Sequence, residues 1–203
     1  SRHSPDMVQW MQQRAVEGNY ALAGSLPWHE NNQRFNRFFC CTPSQQQFTY
    51  DKRHLFAFAK EDQVFSPGNQ ALCFEFRGWK IAAFVCYDLR FPVWMRRRAE
   101  LDYDLALVPA NWPERRSEAW KSLLKARAIE NQSYILGLNR VGYDGNGVLH
   151  SGDSLLFDAL GKTLAAARPF HTQTLSAELS KETLEQQRRQ FPFQNEADGF
   201  VLI

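Results

Sequence analysis

The most constraining stretch of this sequence runs from Ile81 to Pro92, where an apolar segment meets a cysteine and then a polar turn. The apolar residues Ile-Ala-Ala-Phe-Val lead without interruption into Cys86, and a tyrosine, an aspartate and an arginine follow closely. Such an apolar run bounded by polar residues is typical of a strand buried on both faces. Cys86 is therefore predicted at the end of a buried strand, where a scaffold presents a reactive side chain rigidly. A structural core cysteine explains the same position, because free cysteine is among the most buried residue types.

Length and composition are those of a single globular domain. The chain has 203 residues, of which 44% are hydrophobic and 23% charged, so we expect one domain spanning residues 1–203. The net charge of +2 is too small to imply a nucleic-acid partner. No apolar stretch approaches the roughly 18 residues of a membrane span, and the first residues lack a signal-peptide core. We therefore expect neither nucleic acid nor membrane as a partner.

The cysteines are spaced neither for a metal nor for a disulfide framework. They are Cys40, Cys41, Cys73 and Cys86, and none forms a CxxC pair or stands at zinc-ligand spacing from a histidine. Cys40 and Cys41 are adjacent, so on a strand they point to opposite faces. These spacings favour a reducing, cytoplasmic location without a bound metal.

Hydrophobic periodicity and turn residues predict alternating helices and strands. Helices are predicted over 6–17, 92–101, 117–131 and 181–190. Strands are predicted over 20–25, 35–41, 48–50, 71–76, 79–85, 103–108, 134–138, 153–157, 162–166 and 172–177. Asp6 and Ser117 are predicted helix N-caps, and Arg77-Gly78 a hairpin turn. Strands that alternate with helices, flanked by hairpins, predict an α/β sandwich with a mixed sheet.

Polar residues follow the predicted strands at Lys52, Cys86, Asn111 and Asn139. Ligand sites in α/β sheets form beyond such strand ends. A lysine ammonium stabilises a cysteine thiolate and can donate to an oxyanion, together with the backbone N–H that follows the nucleophile, that of Tyr87. A solvated lysine in the charged segment 51–56 is the alternative for Lys52.

A cysteine nucleophile also needs a general base. His54 is the histidine nearest to these candidates, so a Cys–His hydrolase or acyltransferase that uses His54 is an open alternative. A catalytically silent binding module is a second alternative.

Several segments together resemble motifs of the nitrilase, or carbon–nitrogen hydrolase, superfamily. They are Tyr50-Asp-Lys-Arg-His-Leu-Phe56, Cys86-Tyr-Asp-Leu-Arg-Phe-Pro92, Arg127-Ala-Ile-Glu-Asn-Gln132 and the later segment 152–161. Their order and spacing agree with the superfamily over essentially the whole chain. Within it, the sequence is most similar to the bacterial omega-amidase branch, which hydrolyses the terminal amide of 2-oxo acid amides such as 2-oxoglutaramate. The resemblance implies a four-layer α-β-β-α sandwich.

The resemblance also implies a catalytic set of glutamate, lysine and cysteine. It assigns the nucleophile to Cys86, the catalytic lysine to Lys52 and a supporting glutamate to Glu61, for which a solvated charge is the alternative. The general-base glutamate belongs to a motif like LPE-x-F, which these 203 residues do not contain. We therefore expect a domain that lacks the N-terminal strand and helix, with some fifty residues absent by comparison with the family.

The resemblance further implies the ligands of this protein. Its expected function is amide hydrolysis through a cysteine thioester, with a small amide as substrate and no metal or organic cofactor. Candidate pocket residues are Arg90, Asn111, Trp112 and Asn139. A structural ion pair is the alternative for Arg90, and core packing is the alternative for Trp112. A homodimer is expected, with the aromatic tail from Phe191 onward as a suitable interface.

Overall fold

The computed structural model describes residues 3–200 as layers of helices and strands. The α-helices are α1 (Ser4–Gly18), α2 (Pro92–Met95), α3 (Ser117–Asn131) and α4 (Lys181–Gln190). The strands are β1 (Leu22–Glu30), β2 (Gln33–Cys41), β3 (Gln47–Asp51), β4 (Leu72–Phe76), β5 (Trp79–Ala83), β6 (Leu105–Ala110), β7 (Tyr134–Asn139), β8 (Val141–Tyr143), β9 (Leu149–Ser151), β10 (Leu155–Phe157) and β11 (Thr163–Ala166). Within residues 3–200, no helix combines the length and apolarity needed to cross a membrane.

The larger sheet is mixed, as the sequence predicts. Its strand order is β11-β10-β7-β6-β5-β4, with β5, β6 and β7 parallel at the centre and antiparallel pairs on both sides. The β4–β5 hairpin pairs Phe76 with Trp79. Its turn residues Arg77 and Gly78 have φ values of 49° and 77°, the positive pair that a tight two-residue hairpin requires.

A three-stranded sheet, called the small sheet below, separates the two apolar layers of the protein. It consists of β1, β2 and β3, all antiparallel. β8 and β9 form a separate two-stranded sheet. The side chains of β2 alternate: Phe38 and Cys40 enter the core between the sheets, whereas Phe39 and Cys41 pack beneath α1. The predicted opposite orientation of the two adjacent cysteines is confirmed. Burial raises the pKa of Cys40 to about 12, so its thiol stays neutral.

Helices cover both outer faces of the sandwich. α1 packs on β1 and β2, and α3 packs on β7 and β10. The layers therefore follow the order α1, small sheet, large sheet, α3, which confirms the predicted α-β-β-α sandwich. Large apolar side chains such as Phe84, Tyr103 and Trp120 fill the core between them.

The predicted helix over 92–101 is wrong beyond Met95, where α2 ends. Tertiary contacts take the backbone groups that a longer helix would need: the Arg97 amide donates to Oδ1 of Asn131 at 2.8 Å. Arg98 and Leu101 then pair as an isolated β-bridge. The basic run 96–98 is thus an irregular segment.

Other boundaries also differ from the sequence predictions. No strand forms over 172–177, because most of this segment is exposed and has no apolar face to bury. The predicted caps are wrong as well: Asp6 lies in the first turn of α1, and the Ser117 hydroxyl donates to Asp153 Oδ2 at 2.8 Å. β5 ends at Ala83, although the apolar run stays buried through Val85.

Candidate active site

Cys86 lies directly after the buried run and begins the short 3₁₀ helix Cys86–Arg90. Its φ of 49° falls in the left-handed region, which is uncommon for a residue other than glycine. Backbone strain of this kind persists where the surrounding structure fixes it, and it clusters at active sites. The thiol is half-buried, and its Sγ lies 3.9 Å from the carbonyl oxygen of Asn111. The strained turn holds the thiol in one direction at the end of the strand.

A buried carboxylate, that of Asp88, holds this turn in place. Its Oδ2 accepts hydrogen bonds from the Val85 amide at 2.9 Å and the Tyr50 hydroxyl at 2.7 Å. Its Oδ1 accepts from the His54 amide at 3.0 Å and lies 2.8 Å from His54 Nδ1. Asp88 thereby ties the cysteine turn to the segment after β3, in the opposite sheet. The sequence places Asp88 next to Cys86 but gives no sign of these distant partners.

His54 belongs to the packing around Asp88. Its ring stacks on Phe91 with centroids 3.7 Å apart, and Trp94 meets it edge-on at 6.0 Å. Among the contacts of residues 3–200, no hydrogen bond joins His54 to Cys86. The geometry gives the Cys–His alternative no support.

Lys52 and Glu61 form a buried ion pair near the cysteine. The Lys52 side chain is 3% exposed, and its Nζ lies 2.6 Å from Oε2 of Glu61. Glu61 also accepts from the Phe56 amide at 2.7 Å and from Asn36 Nδ2 at 3.1 Å. The alternative of a solvated side chain is therefore wrong for both residues. Hydrogen bonds from two other segments fix the glutamate, and the glutamate in turn fixes the lysine.

Charges near Cys86 act on its thiol in opposite directions. Burial raises the pKa of Cys86, whereas the Lys52 ammonium and a hydrogen bond with the backbone of Asn111 lower it. Glu61 raises this pKa in turn. Lys52 is thus close enough to favour the thiolate, the reactive form of cysteine.

A cavity of about 830 Å³ brings together five of the predicted site residues, Lys52, Glu61, Cys86, Asn111 and Asn139, whereas Tyr87, Arg90 and Trp112 do not line it. It lies at the carboxyl ends of the parallel strands, where sites in α/β sheets form. Its polar lining comprises Ser25, Asn36, Lys52, Lys60, Glu61, Cys86, Asn111, Asn139 and Arg140. Within residues 3–200, no group of three or more His, Cys, Asp and Glu side chains is placed to hold a metal ion.

Asn139 shapes this cavity by holding backbone rather than by offering a free amide. Its Nδ2 donates to the carbonyls of Trp112 at 3.0 Å and Gly152 at 2.7 Å. Its Oδ1 accepts from the amides of Trp112 at 2.8 Å and Arg140 at 3.0 Å. Asn139 therefore fixes the segment that carries Asn111, whose side chain is exposed at the cavity.

A smaller cavity of about 220 Å³ also adjoins Cys86. Trp112 lines this cavity, as expected for a pocket residue. Its side chain is also buried, with its ring centroid 5.4 Å from that of Trp120, so Trp112 contributes to core packing as well. The Arg90 guanidinium lies 4.9 Å from the Trp112 ring. Arg115 and Arg116 line the same cavity, and sequence reasoning missed them, although they follow the predicted strand that ends near Asn111.

Comparison with known proteins identifies the family. A family model described as carbon-nitrogen hydrolase matches residues 4–189. The chain belongs to the carbon-nitrogen hydrolase family. This hydrolase is 44% identical over 198 residues to the omega-amidase YafV of Yersinia enterocolitica. The alignment covers 98% of this chain and 77% of that protein. It is 34% identical over 158 residues to the 2-oxoglutaramate amidase of Bacillus subtilis (strain 168), covering 77% of this chain and 61% of that protein.

A solved structure agrees with the fold of this carbon-nitrogen hydrolase. XC1258 from Xanthomonas campestris, described as a CN-hydrolase superfamily protein with an arsenic adduct in the active site, aligns with a TM-score of 0.96 and 40% identity. The alignment covers 99% of this chain and 78% of that one. The predicted membership of the nitrilase superfamily, in its omega-amidase branch, is confirmed, and so is the prediction of a hydrolase that acts on amides.

Proposed function

We propose that this hydrolase cleaves the terminal amide of small omega-amides such as 2-oxoglutaramate, giving the acid and ammonia through a thioester on Cys86. The observation that carries the proposal is the strained Cys86 in one cavity with the buried Lys52–Glu61 pair. The similarity to an omega-amidase and a 2-oxoglutaramate amidase supports the substrate class.

In the first step, the Cys86 thiolate attacks the amide carbon, and a C–S bond forms as the carbonyl oxygen becomes an oxyanion. The Lys52 ammonium is one donor to that oxygen. The backbone N–H of Tyr87 is the other, because Tyr87 is the second residue of its 3₁₀ helix and has no acceptor for this group within the helix. Glu61 holds the Lys52 side chain in position through their 2.6 Å contact.

In the second step, the C–N bond breaks and the leaving nitrogen takes a proton to depart as ammonia. Water then attacks the thioester, releases the acid and restores the thiol. Family resemblance assigns both proton transfers to the glutamate of an LPE-x-F-like motif, which is not found in these 203 residues. The residues of this chain therefore account for the nucleophile and the oxyanion donors.

The test replaces the proposed nucleophile. Measured in protein that also carries the glutamate of the LPE-x-F-like motif, Cys86→Ala should lower ammonia release from 2-oxoglutaramate by about a thousandfold or more, because the substitution removes the sulfur that forms the thioester. Intact-mass measurement should show an acyl adduct on the unmodified protein that is absent from Cys86→Ala. The matched control is Cys73→Ala, a half-buried cysteine outside the cavity. Unchanged turnover in Cys86→Ala would refute the proposal, and binding of the amide without adduct or turnover would favour the silent binding module.

A further inference from the structure

The smaller cavity beside Cys86 is lined by positively charged side chains. Arg90, Arg115 and Arg116 all contribute to its wall. The cavity shares Cys86 and Asn111 with the larger one, so an acyl group attached to the thiol can extend into it. Its volume of about 220 Å³ suits a short acyl chain rather than a large ligand.

In the part of the chain that the structure describes, these arginines have no anionic partner. Among residues 3–200, no carboxylate lies within 4.0 Å of any of them, so the structural ion pair that was the alternative for Arg90 is not formed. Asp144 also lines the cavity, but its Oδ1 accepts from the amides of Asn146 at 2.8 Å and Val148 at 2.9 Å. The Asp144 carboxylate therefore accepts hydrogen bonds within its own turn, residues 144–148.

Arg116 is the most constrained of the cluster. Its guanidinium lies 5.4 Å from the ring centroid of Phe56 and 5.5 Å from that of Phe58. Its Nη1 is buried and has no hydrogen-bond partner among the described residues. Burial lowers the pKa of Arg116, and the neighbouring charges of Arg115 and Arg90 lower it further. A buried donor without a partner is costly, and an anion in the cavity would satisfy it.

We propose that this cavity is a carboxylate subsite, in which Arg116, with Arg90 and Arg115 beside it, binds the carboxylate at the far end of the acyl group held at Cys86. The planar guanidinium donates two parallel hydrogen bonds to a carboxylate, and the phenylalanine rings hold its plane fixed. The inference rests on the proposed function and adds to it the side chain that distinguishes an amide with a distal carboxylate from a neutral aliphatic amide.

The activity test compares two amides of equal carbon number, glutaramate with a terminal carboxylate and pentanamide without one. Arg116→Gln should lower kcat/KM for glutaramate about 10- to 100-fold, mainly through KM, and change that for pentanamide less than about twofold. The kcat/KM of Arg116→Lys for glutaramate should lie between those of the unmodified protein and Arg116→Gln, because lysine keeps the charge but cannot donate two parallel hydrogen bonds to a carboxylate. The matched control is Arg189→Gln on α4, 68% exposed and remote from the cavity.

A binding test works without turnover. Calorimetric titration of Cys86→Ala protein should show glutaramate binding that weakens about 10- to 100-fold when Arg116→Gln is added, with pentanamide unaffected. The Arg116 carbonyl that accepts from Trp112 Nε1 is retained in the variant, and its unfolding midpoint verifies that it folds. If Arg116→Gln affects glutaramate and pentanamide equally, or no more than Arg189→Gln does, the subsite is refuted.

The two proposals fail in different ways. If Arg116→Gln leaves amide hydrolysis unchanged, the carboxylate subsite is refuted and the proposed amidase activity is not. If glutaramate binding depends on Arg116 but the unmodified protein, with Cys86 in place, forms no acyl adduct, the subsite would be supported and the amidase overturned.

Discussion

At the scale of single residues, the reactivity of Cys86 depends on a balance between burial and one positive charge. Burial favours the neutral thiol, and the Lys52 ammonium favours the thiolate. If Lys52 is removed, burial remains and the Glu61 carboxylate, which also raises the pKa of Cys86, loses its counter-ion. The pKa of the thiol must then rise, and the thiolate fraction at a given pH must fall.

Lys52→Met should therefore shift the pH profile of Cys86 alkylation to higher pH. At about pH 8, the reaction of Cys86 with iodoacetamide should be slower than in the unmodified protein. Peptide mass spectrometry separates Cys86 from Cys73, the other cysteine that is not fully buried. The matched control is Lys125→Met, an exposed lysine on α3, which should leave the profile unchanged. Superimposable profiles for Lys52→Met and the unmodified protein would contradict this electrostatic coupling.

The sequence identifies Cys86 and Lys52 because each stands in a recognisable local motif. It could not assign roles to residues whose partners are distant in the chain. Asp88 meets His54 across 34 positions, and Asn139 meets Trp112 across 27. Arg116 gives no local signal at all. What marks it is that no carboxylate of residues 3–200 forms an ion pair with its guanidinium, and this is a property of the folded cavity.

At the scale of elements, the contact between α3 and β7 depends on a residue without a side chain. A Cβ atom at Gly137 would lie 2.4 Å from Leu124 Cδ1 and 2.7 Å from Trp120 Cζ2. Both side chains are completely buried, so they have little room to move. The helix can approach the centre of the large sheet this closely only because β7 carries glycine there.

Gly137→Ala should accordingly lower the free energy of unfolding by about 1–3 kcal/mol, the usual cost of overpacking a core. Urea denaturation followed by circular dichroism measures it. Gly24→Ala on β1 is the control, since a Cβ there meets no atom within 4 Å and should change stability little. Equal stability of both variants would show that the core relaxes around the added methyl group.

Elements are predictable where local chemistry decides their ends. The Arg77-Gly78 turn gives the β4–β5 hairpin because both residues adopt positive φ. α2, by contrast, ends early because Asn131, on another helix, accepts the Arg97 amide. No pattern within residues 92–101 contains that information, so sequence reasoning extends the helix too far.

At the scale of the whole molecule, the Arg188 side chain makes four of the hydrogen bonds that attach the C-terminal segment to the sandwich. Contacts of Lys181, Gln132 and Gln194 contribute others. Arg188 of α4 donates to the carbonyls of Gln132 at 2.9 Å and Tyr103 at 2.8 Å, and to Asp104 Oδ1 at 2.9 Å. It also donates to Ser133 Oγ at 3.1 Å. These groups belong to the segments that lead into β6 and β7, so the helix closes the end of the sheet opposite the active-site cavity.

The aromatic tail that follows α4 is less enclosed. Phe191 is 68% exposed, which is compatible with the predicted homodimer interface. The last part of that predicted interface, residues 201–203, lies outside the described residues. The homodimer and the cytoplasmic location stay predictions.

Arg188→Ala should release α4 from the sheet. Because it removes charge-assisted hydrogen bonds to partly buried acceptors, amide hydrogen exchange over 181–190 should accelerate by about tenfold or more, while exchange in β7 changes little. Arg189→Ala, at the next position, is the matched control. That side chain is exposed and its ion pair within residues 3–200 is with Glu185 on the same helix, at 3.7 Å, so exchange should stay near that of the unmodified protein. Equal exchange rates in the two variants would show that Leu184, fully buried beneath the helix, holds α4 in place without the arginine.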